Sequence, residues 1–524
     1  MLDLILKNAR VVDGTGNPWY RADVGVAGHQ IAAVGNLSQA SATRTIDCGD
    51  QVLSPGFIDM HSHADAMLMA EPLHEAKIFQ GCTTDLLGQD GLSYAPVSPP
   101  TLQMLRAHLH ALNGNPDIGW DWTSVASYLE RFDRKASVNV AYLVPHCAVR
   151  AEVLGMEDGL ASPAELARMC ALVEEGMADG AVGFATGLDY TPQFWSNTDE
   201  LVALCSVVAR RGGIYVTHVR YALGDGFLDP IREAIEIGRR SGVKVHISHL
   251  RGDRLGHPET NPDLILGLFE AARRDGVDIA YDSYAYTRGS SLMHRLLPEW
   301  THVGGPEKLL ERLADGETRK RILEGLQKRG VKWDQVTMGS IPSARNQNLE
   351  GWSVAQAAAE HGKSSEEFAC DIMLEERLAV SYVSEATSSE DAIDRILAHP
   401  LATSGSDGLC WGSRRHPRTY GSFARVLGRY VREKQVMPLE EAVRKMTGAC
   451  AARLGLKDRG VIREGAVADI AVWDDRAIAD RSTYESPLQR AAGVSTVLVS
   501  GVPVLDAGSH TGATPGRVLR PLLA

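Results

Sequence analysis

The sequence predicts an α/β protein: a TIM-like (β/α)8 barrel with a small β-sandwich domain formed by both termini and an inserted subdomain. Three observations predict it: short apolar strands alternate with helical patterns through the middle of the chain, strand-rich texture occurs at both ends, and one crossover is too long for a single helix. With 524 residues, 44% of them hydrophobic, the chain can bury one large core and a smaller satellite.

The N-terminal stretch reads as short strands, Leu2 to Ala9, Ala22 to Ala27 and Ile31 to Val34, broken by Asp13-Gly14, Gly28 and Gly35-Asn36. Similar texture returns in Ala468 to Trp473 and Val494 to Val499, and Ser500-Gly501 marks a hairpin turn before Val502-Pro503-Val504. Residues 1–54 and 455–524 are therefore expected to build one β-sandwich, with the barrel over 55–454.

Eight barrel strands are expected: Gly56 to Met60, Thr84 to Leu87, Val138 to Val144, Val182 to Phe184, Ile214 to Thr217, Lys244 to Ser248, Asp278 to Asp282 and Thr403 to Ser406. Helical companions include Pro163 to Ala178, with Ser162 as N-cap, and Thr198 to Arg211. The insertion covers about 288–400, contains a strand-like run from Leu378 to Val383, and is placed where it can form a lid.

A formal net charge of -12 argues against a nucleic-acid footprint, which needs a concentrated basic face. Met1 to Gly14 carries Asp3 and Lys7 in its apolar run and reads as a strand, not a signal peptide. No uncharged apolar stretch approaches the roughly 20 residues of a membrane span. The eight cysteines include no C-x-x-C pair and read as reduced thiols, which makes the cytoplasm the expected location. Gly14-Thr15-Gly16 lacks the rest of a phosphate-loop pattern and reads as a turn, and the charged run Arg425 to Arg444 reads as a solvated helix face.

The strongest chemical signal is His61-Ser62-His63, directly after the apolar run Pro55 to Met60. Side chains at i and i+2 of a strand point the same way, so two imidazoles at a barrel strand's C-terminal end can converge on one metal. His218 and His249 end two later strands, and four imidazoles from three strand ends make a zinc site with room for water. A lone strand-end histidine is more often a hydrogen-bonded core residue; the set of four argues otherwise. His246 is assigned to packing and His146 is given no role. Asp407 closes the eighth strand, where a carboxylate can take a proton from an activated water and return it to a leaving amine.

The run Leu53 to His63, with His218, His249 and Asp407, resembles the amidohydrolase superfamily. More narrowly, Gly187-Leu188-Asp189-Tyr190-Thr191-Pro192, His416 to Gly421 and Gly88-Gln89-Asp90-Gly91-Leu92 resemble the N-acyl-D-amino-acid deacylases, or D-aminoacylases, over nearly the whole chain. The resemblance implies zinc, one ion or two. His218 and His249 would hold the tight position, His61 and His63 would face a weaker one, and Asp407 would act as general base and then acid. It also implies a bridging ligand, a cysteine in many deacylases, whose matching residue here is Asp90. A carboxylate is a harder ligand than a thiolate and accepts other divalent ions more readily. Cys82, at the start of the second strand, reads as buried packing.

The resemblance further places Tyr190, Tyr284 and Arg418 around the carboxylate of an acylated amino acid, and Arg251 stands where the family usually has lysine. Ala285 and Arg288 depart from the family's usual proline and small residue, which admits an acidic substrate side chain or a different substrate. The expected partner is a small-molecule amide, with neither nucleic acid nor membrane, and assembly as a homo-oligomer stays open. Rival readings keep the metal site but hydrolyse a cyclic, carbamoyl or aryl amide, or retain the barrel as a non-catalytic scaffold.

Overall fold

The computed structural model describes residues 1–520; the last four positions of the expected 455–524 segment lie outside the described residues. Eight parallel strands form the central sheet: β1 (Phe57–Asp59), β2 (Cys82–Leu87), β3 (Asn139–Pro145), β4 (Gly183–Gly187), β5 (Ile214–His218), β6 (Lys244–Ile247), β7 (Ile279–Ser283) and β8 (Ala402–Ser404). They follow one another in chain order. The ring closes where Met60 N donates to Ser404 O at 3.2 Å and Asp407 N donates to His61 O at 2.7 Å. All eight expected strands are present, displaced by up to three residues at their ends.

Strand alternation sorts the core. Ile58, Leu86, Ala141, Leu143, Ala185, Ile214 and Val216 gather in one cluster with Cys450, Ala451 and Leu454, whereas Phe57, Tyr142, Val144, Phe184 and Tyr215 belong to the larger cluster shared with the helices. The first set fills the ring and the second packs outward, as a period of two in a closed sheet requires. His218 is two residues beyond Val216 and so inherits the inward direction.

The crossover helices carry the expected caps. Ser162 accepts from Glu165 N, and Glu165 returns a bond to Ser162 N, a capping box at the start of Pro163–Ala178. Asn197 caps Thr198–Arg210 in the same position.

Both chain ends meet in a nine-stranded sheet, in which Val52–Pro55 pairs with Ile470–Trp473 and bridges the N-terminal strands to the C-terminal hairpin Val494–Val499/Val502–Asp506. Hydrogen bonding links these strands into one continuous sheet. Leu6, Val24, Ile470 and Val472 line a core of its own, while Ala471, Trp473, Val497 and Val499 pack against the barrel. Alternate residues of one strand therefore serve two cores.

The insertion also owns a core, made by Leu309, Leu313, Ile322, Leu326, Phe368 and Met373 among others. Its three-stranded antiparallel sheet places Ser381–Ala386 between Arg288–Leu292 and Val336–Met338. The expected Leu378 to Val383 strand thus starts later, because Arg377 and Leu378 take left-handed backbone at the end of helix Ser365–Glu375.

Candidate active site

The four histidines and two aspartates singled out in the sequence lie together at the C-terminal ends of β1, β2, β5, β6 and β8. His61 Nε2 and His63 Nε2 are 3.4 Å apart, and His218 Nδ1 and His249 Nε2 are 2.9 Å apart. Asp90 stands between the pairs: Oδ1 is 3.6 Å from His61 Nε2, and Oδ2 is 3.7 Å from His63 Nε2, 3.6 Å from His249 Nε2 and 3.9 Å from His218 Nδ1. Two donor groups result, His61–His63–Asp90 and Asp90–His218–His249, with the ligand atoms of each lying within 4.8 Å of one another.

This donor set fits a zinc ion. Imidazole and carboxylate are ordinary zinc ligands, and the buried Asp90 Oδ1 has no hydrogen-bond partner. Electrostatics point the same way. Burial opposes charge on His61, yet Asp90, Asp282 and Asp407 outweigh it and raise its pKa to about 9. Three carboxylates within 3.7 Å of the buried His61 ring favour positive charge at this position.

Local backbone explains the convergence. Asp90, His249 and Asp407 have φ values of 54°, 34° and 50°, left-handed conformations that cost non-glycine residues about 1–3 kcal/mol each. Each reversal comes within three residues of a strand end, and all three residues line the same cavity. Gly405 permits close approach of β8 to β1, since a Cβ there would lie 2.7 Å from His61 Cβ.

Asp407 Oδ1 lies 3.3 Å from His63 Nε2 and 3.7 Å from His61 Nε2. Burial raises the Asp407 pKa, but Arg418, His63 and the neighbouring imidazoles overcome it and hold the carboxyl well below its usual range.

The cavity over this centre has a volume of about 340 Å3 and is lined by Tyr190, Arg251, Tyr284, Arg295 and the inserted subdomain's Tyr382, besides the ligand cluster. Arg251 donates to Tyr284 Oη and, at 2.6 Å, to Tyr286 O; its guanidinium lies 4.4 Å from the Tyr284 ring centroid. Tyr190 packs on His218 with ring centroids 5.0 Å apart. Arg418 is absent from the cavity wall: fully buried, it pairs with Asp407 and lies 4.7 Å over the Tyr284 ring. Arg288 also leaves the cavity, because Glu385 takes it at 2.8 Å.

Several surrounding groups have no catalytic or ligand role predicted from the sequence. Asp282, at the end of β7, accepts from His249 N at 2.9 Å, lies 3.5 Å from His61 Nδ1 and 3.2 Å from His246 Nε2. His246, assigned to packing, thus holds a carboxylate shared with two histidines of the cluster. Lys77 donates to Asp59 Oδ2 and Ser406 Oγ, while Asp59 Oδ1 accepts from His61 N at 3.0 Å and Ser406 N at 2.8 Å. Asp189 Oδ2 lies 3.3 Å from His218 Nε2 and accepts from Arg295 Nη2 at 2.8 Å. Burial raises the Asp189 pKa, but His218 and Arg295 pull it down to about 2. Asp282 ends a legible strand, a signal available in the sequence; Lys77 and Arg295 had none. His146 is buried on Glu200, away from the centre. Cys82 is fully buried at the start of β2.

A parallel barrel whose strand ends gather histidines around a shared aspartate defines a metal-dependent hydrolase of the barrel class. The chain belongs to the amidohydrolase family, whose profile matches residues 44–505. It is 36% identical over 522 residues to a D-aminoacylase of Alcaligenes xylosoxydans xylosoxydans, covering 99% of this chain and 97% of that one. An N-acyl-D-glutamate deacylase of the same organism is 34% identical, covering 99% and 96%. Among solved structures, an N-acyl-D-glutamate deacylase from Bordetella bronchiseptica, complexed with zinc and a phosphonate inhibitor, superposes with a TM-score of 0.83 at 32% identity, covering 99% of both chains.

Among the described residues, no helix is long and apolar enough to cross a membrane.

Proposed function

We propose that the chain hydrolyses the amide bond of an N-acyl-D-amino acid, or a closely related small amide, to a carboxylate and a free amine. One observation carries the reading: Asp407 Oδ1 stands 3.3 Å from His63 Nε2 in the same cavity as Arg251, so a proton acceptor, a metal-ligand set and a cation face one small volume. Relatives that act on N-acyl-D-amino acids over nearly the full chain support the substrate class.

His61, His63, Asp90, His218 and His249 would hold zinc, one ion or two, and bound zinc would supply a Lewis acid for the acyl carbonyl and lower the pKa of an attacking water. Asp407 takes the proton of that water on Oδ1 and passes it to the departing nitrogen, so the same carboxyl is base and then acid. Arg418 occupies Oδ2 and keeps the carboxyl ionised and oriented between turnovers.

Arg251 receives the substrate carboxylate. No carboxylate lies within 4.0 Å of its guanidinium among the described residues, so its charge is open to a ligand. Tyr284 backs the guanidinium and Tyr190 closes the wall beside His218. An anionic substrate suits this wall better than an uncharged cyclic amide. The eight free cysteines suit a reducing compartment, which favours the cytoplasm as its location.

The test is zinc content coupled to an amine-release screen of N-acyl-D-amino acids, their L-enantiomers, and cyclic and carbamoyl amides. We expect turnover of N-acyl-D-amino acids, lost on chelation and restored by zinc. Silence on every acyl amino acid from zinc-loaded protein would overturn the substrate assignment, and a protein that takes up no divalent ion would overturn the enzymatic one.

A further inference from the structure

The inserted subdomain reaches the histidine cluster through Arg295 and the carboxylate it holds. Arg295, in the short turn Met293–Leu296, donates from Nη2 to Asp189 Oδ2 at 2.8 Å. The same oxygen lies 3.3 Å from His218 Nε2. The other nitrogen of that ring, Nδ1, faces His249 Nε2 at 2.9 Å and Asp90 Oδ2 at 3.9 Å. His218 therefore has one nitrogen aimed into the cluster and the other held by a carboxylate, which is itself held by a cation from a separately cored subdomain.

We propose that Arg295 is a positioning residue: acting through Asp189, it fixes the ring orientation and tautomer in which His218 presents Nδ1 as a ligand, so that metal affinity depends on the seating of the inserted subdomain. The proposal rests on His218 being a metal ligand. A carboxylate that accepts from the distal N–H of a ligating histidine fixes its tautomer and strengthens it as a donor. Alone, Asp189 could rotate away from His218 or take a water instead. Arg295 bonds the same oxygen that faces the imidazole, so the carboxylate plane is set from the insertion side.

Other contacts hold the relay in place. The Arg295 guanidinium lies 5.3 Å from the centroid of the Tyr190 ring, and Tyr190 Oη is 3.2 Å from Ser291 Oγ on the insertion's first strand. Tyr190 also packs against His218 itself, so the insertion grips that ring from two directions. Arg295 lines the substrate cavity too. A role confined to substrate binding would move KM and leave metal affinity unchanged, which separates the two roles.

The experiment measures zinc affinity of the apo-protein by competition with a chromophoric chelator, without substrate, alongside thermal melting of each variant. Arg295→Met and Asp189→Asn are each expected to weaken one zinc equivalent by about 10- to 100-fold. Arg295→Lys should recover part of the loss. Because the two residues act in series, the double variant should bind no more weakly than Asp189→Asn alone. Unchanged zinc affinity in either single variant, even with a lowered melting temperature, overturns the proposal, and so do losses that multiply in the double variant. If Arg295→Met does not fold, Arg295→Lys and Asp189→Asn supply the same comparison. A wild-type chain that binds no zinc would instead remove the metal reading underneath.

Discussion

Arg418 Nη1 lies 2.8 Å from Asp407 Oδ2, so the carboxylate that faces His63 through Oδ1 is anchored from behind by a buried guanidinium. The arginine that family resemblance assigns to the substrate carboxylate is thereby tied to the proposed general base. We expect its effect on catalysis to run through the position and charge of Asp407.

Asp407→Asn removes the proton acceptor and keeps the shape. We expect kcat to fall by about 10²- to 10⁴-fold, the range of general base catalysis, with zinc content close to wild type. Arg418→Met should also lower kcat more than it raises KM. It leaves a buried carboxylate without its cation, so a stability loss of about 3–5 kcal/mol is expected as well. Steady-state kinetics with metal analysis and denaturant unfolding separate these effects.

Arg251→Met tests the substrate carboxylate contact. Binding that is equal in ground and transition states appears in KM alone, so KM should rise with kcat nearly preserved. Loss of a charge-assisted contact of about 1.5–3 kcal/mol corresponds to roughly 10- to 150-fold in KM. An unchanged KM would assign the carboxylate to another group.

Lys77→Met breaks a fully buried ion pair and strands Asp59, whose Oδ1 holds the backbone of both His61 and Ser406. Removing one partner of a buried pair typically costs about 3–5 kcal/mol. The urea midpoint should drop accordingly, and activity should fall further than stability predicts, because β1 and β8 lose their common anchor beside His61 and Asp407.

Three imidazoles, His108, His294 and His302, lie in a row between the barrel and the insertion, with ring centroids 5.5 Å and 5.7 Å apart. Burial pushes His108 down to about 4; burial, aided by the charge of His108, pushes His302 down to about 3. In the unfolded chain a histidine takes up its proton near 6.5. The unfolded state therefore binds more protons between about pH 6.5 and 4, and stability falls as pH drops through that window while remaining complete above it. For His108 alone the loss is on the order of 3 kcal/mol at the acid end. Melting curves of wild type and His108→Gln from pH 7.5 to pH 4.5 check this. The variant keeps a donor for Thr191 O, at 2.9 Å from His108 Nε2, and should show a flatter acid dependence.

The eight-strand ring and the clustered strand-end histidines were legible in the sequence because both obey local rules. An apolar run followed by a polar residue marks a strand end, and His61, His63, His218 and His249 occupy such ends. Strand boundaries slipped by up to three residues, as at Leu378, where left-handed backbone at the end of a helix delays regular pairing in a way composition does not reveal.

What the sequence determined by itself was the kind of chemistry: which strands close the barrel, and which imidazoles and carboxylates stand at their ends. The tertiary structure alone decided how those groups are held. Lys77 meets Ser406 across 329 positions, Arg418 turns from the cavity to Asp407, and Arg295 reaches Asp189 across 106 positions. Such partners share no local pattern, since a buried charge is placed by whichever opposite charge the packed chain brings within reach.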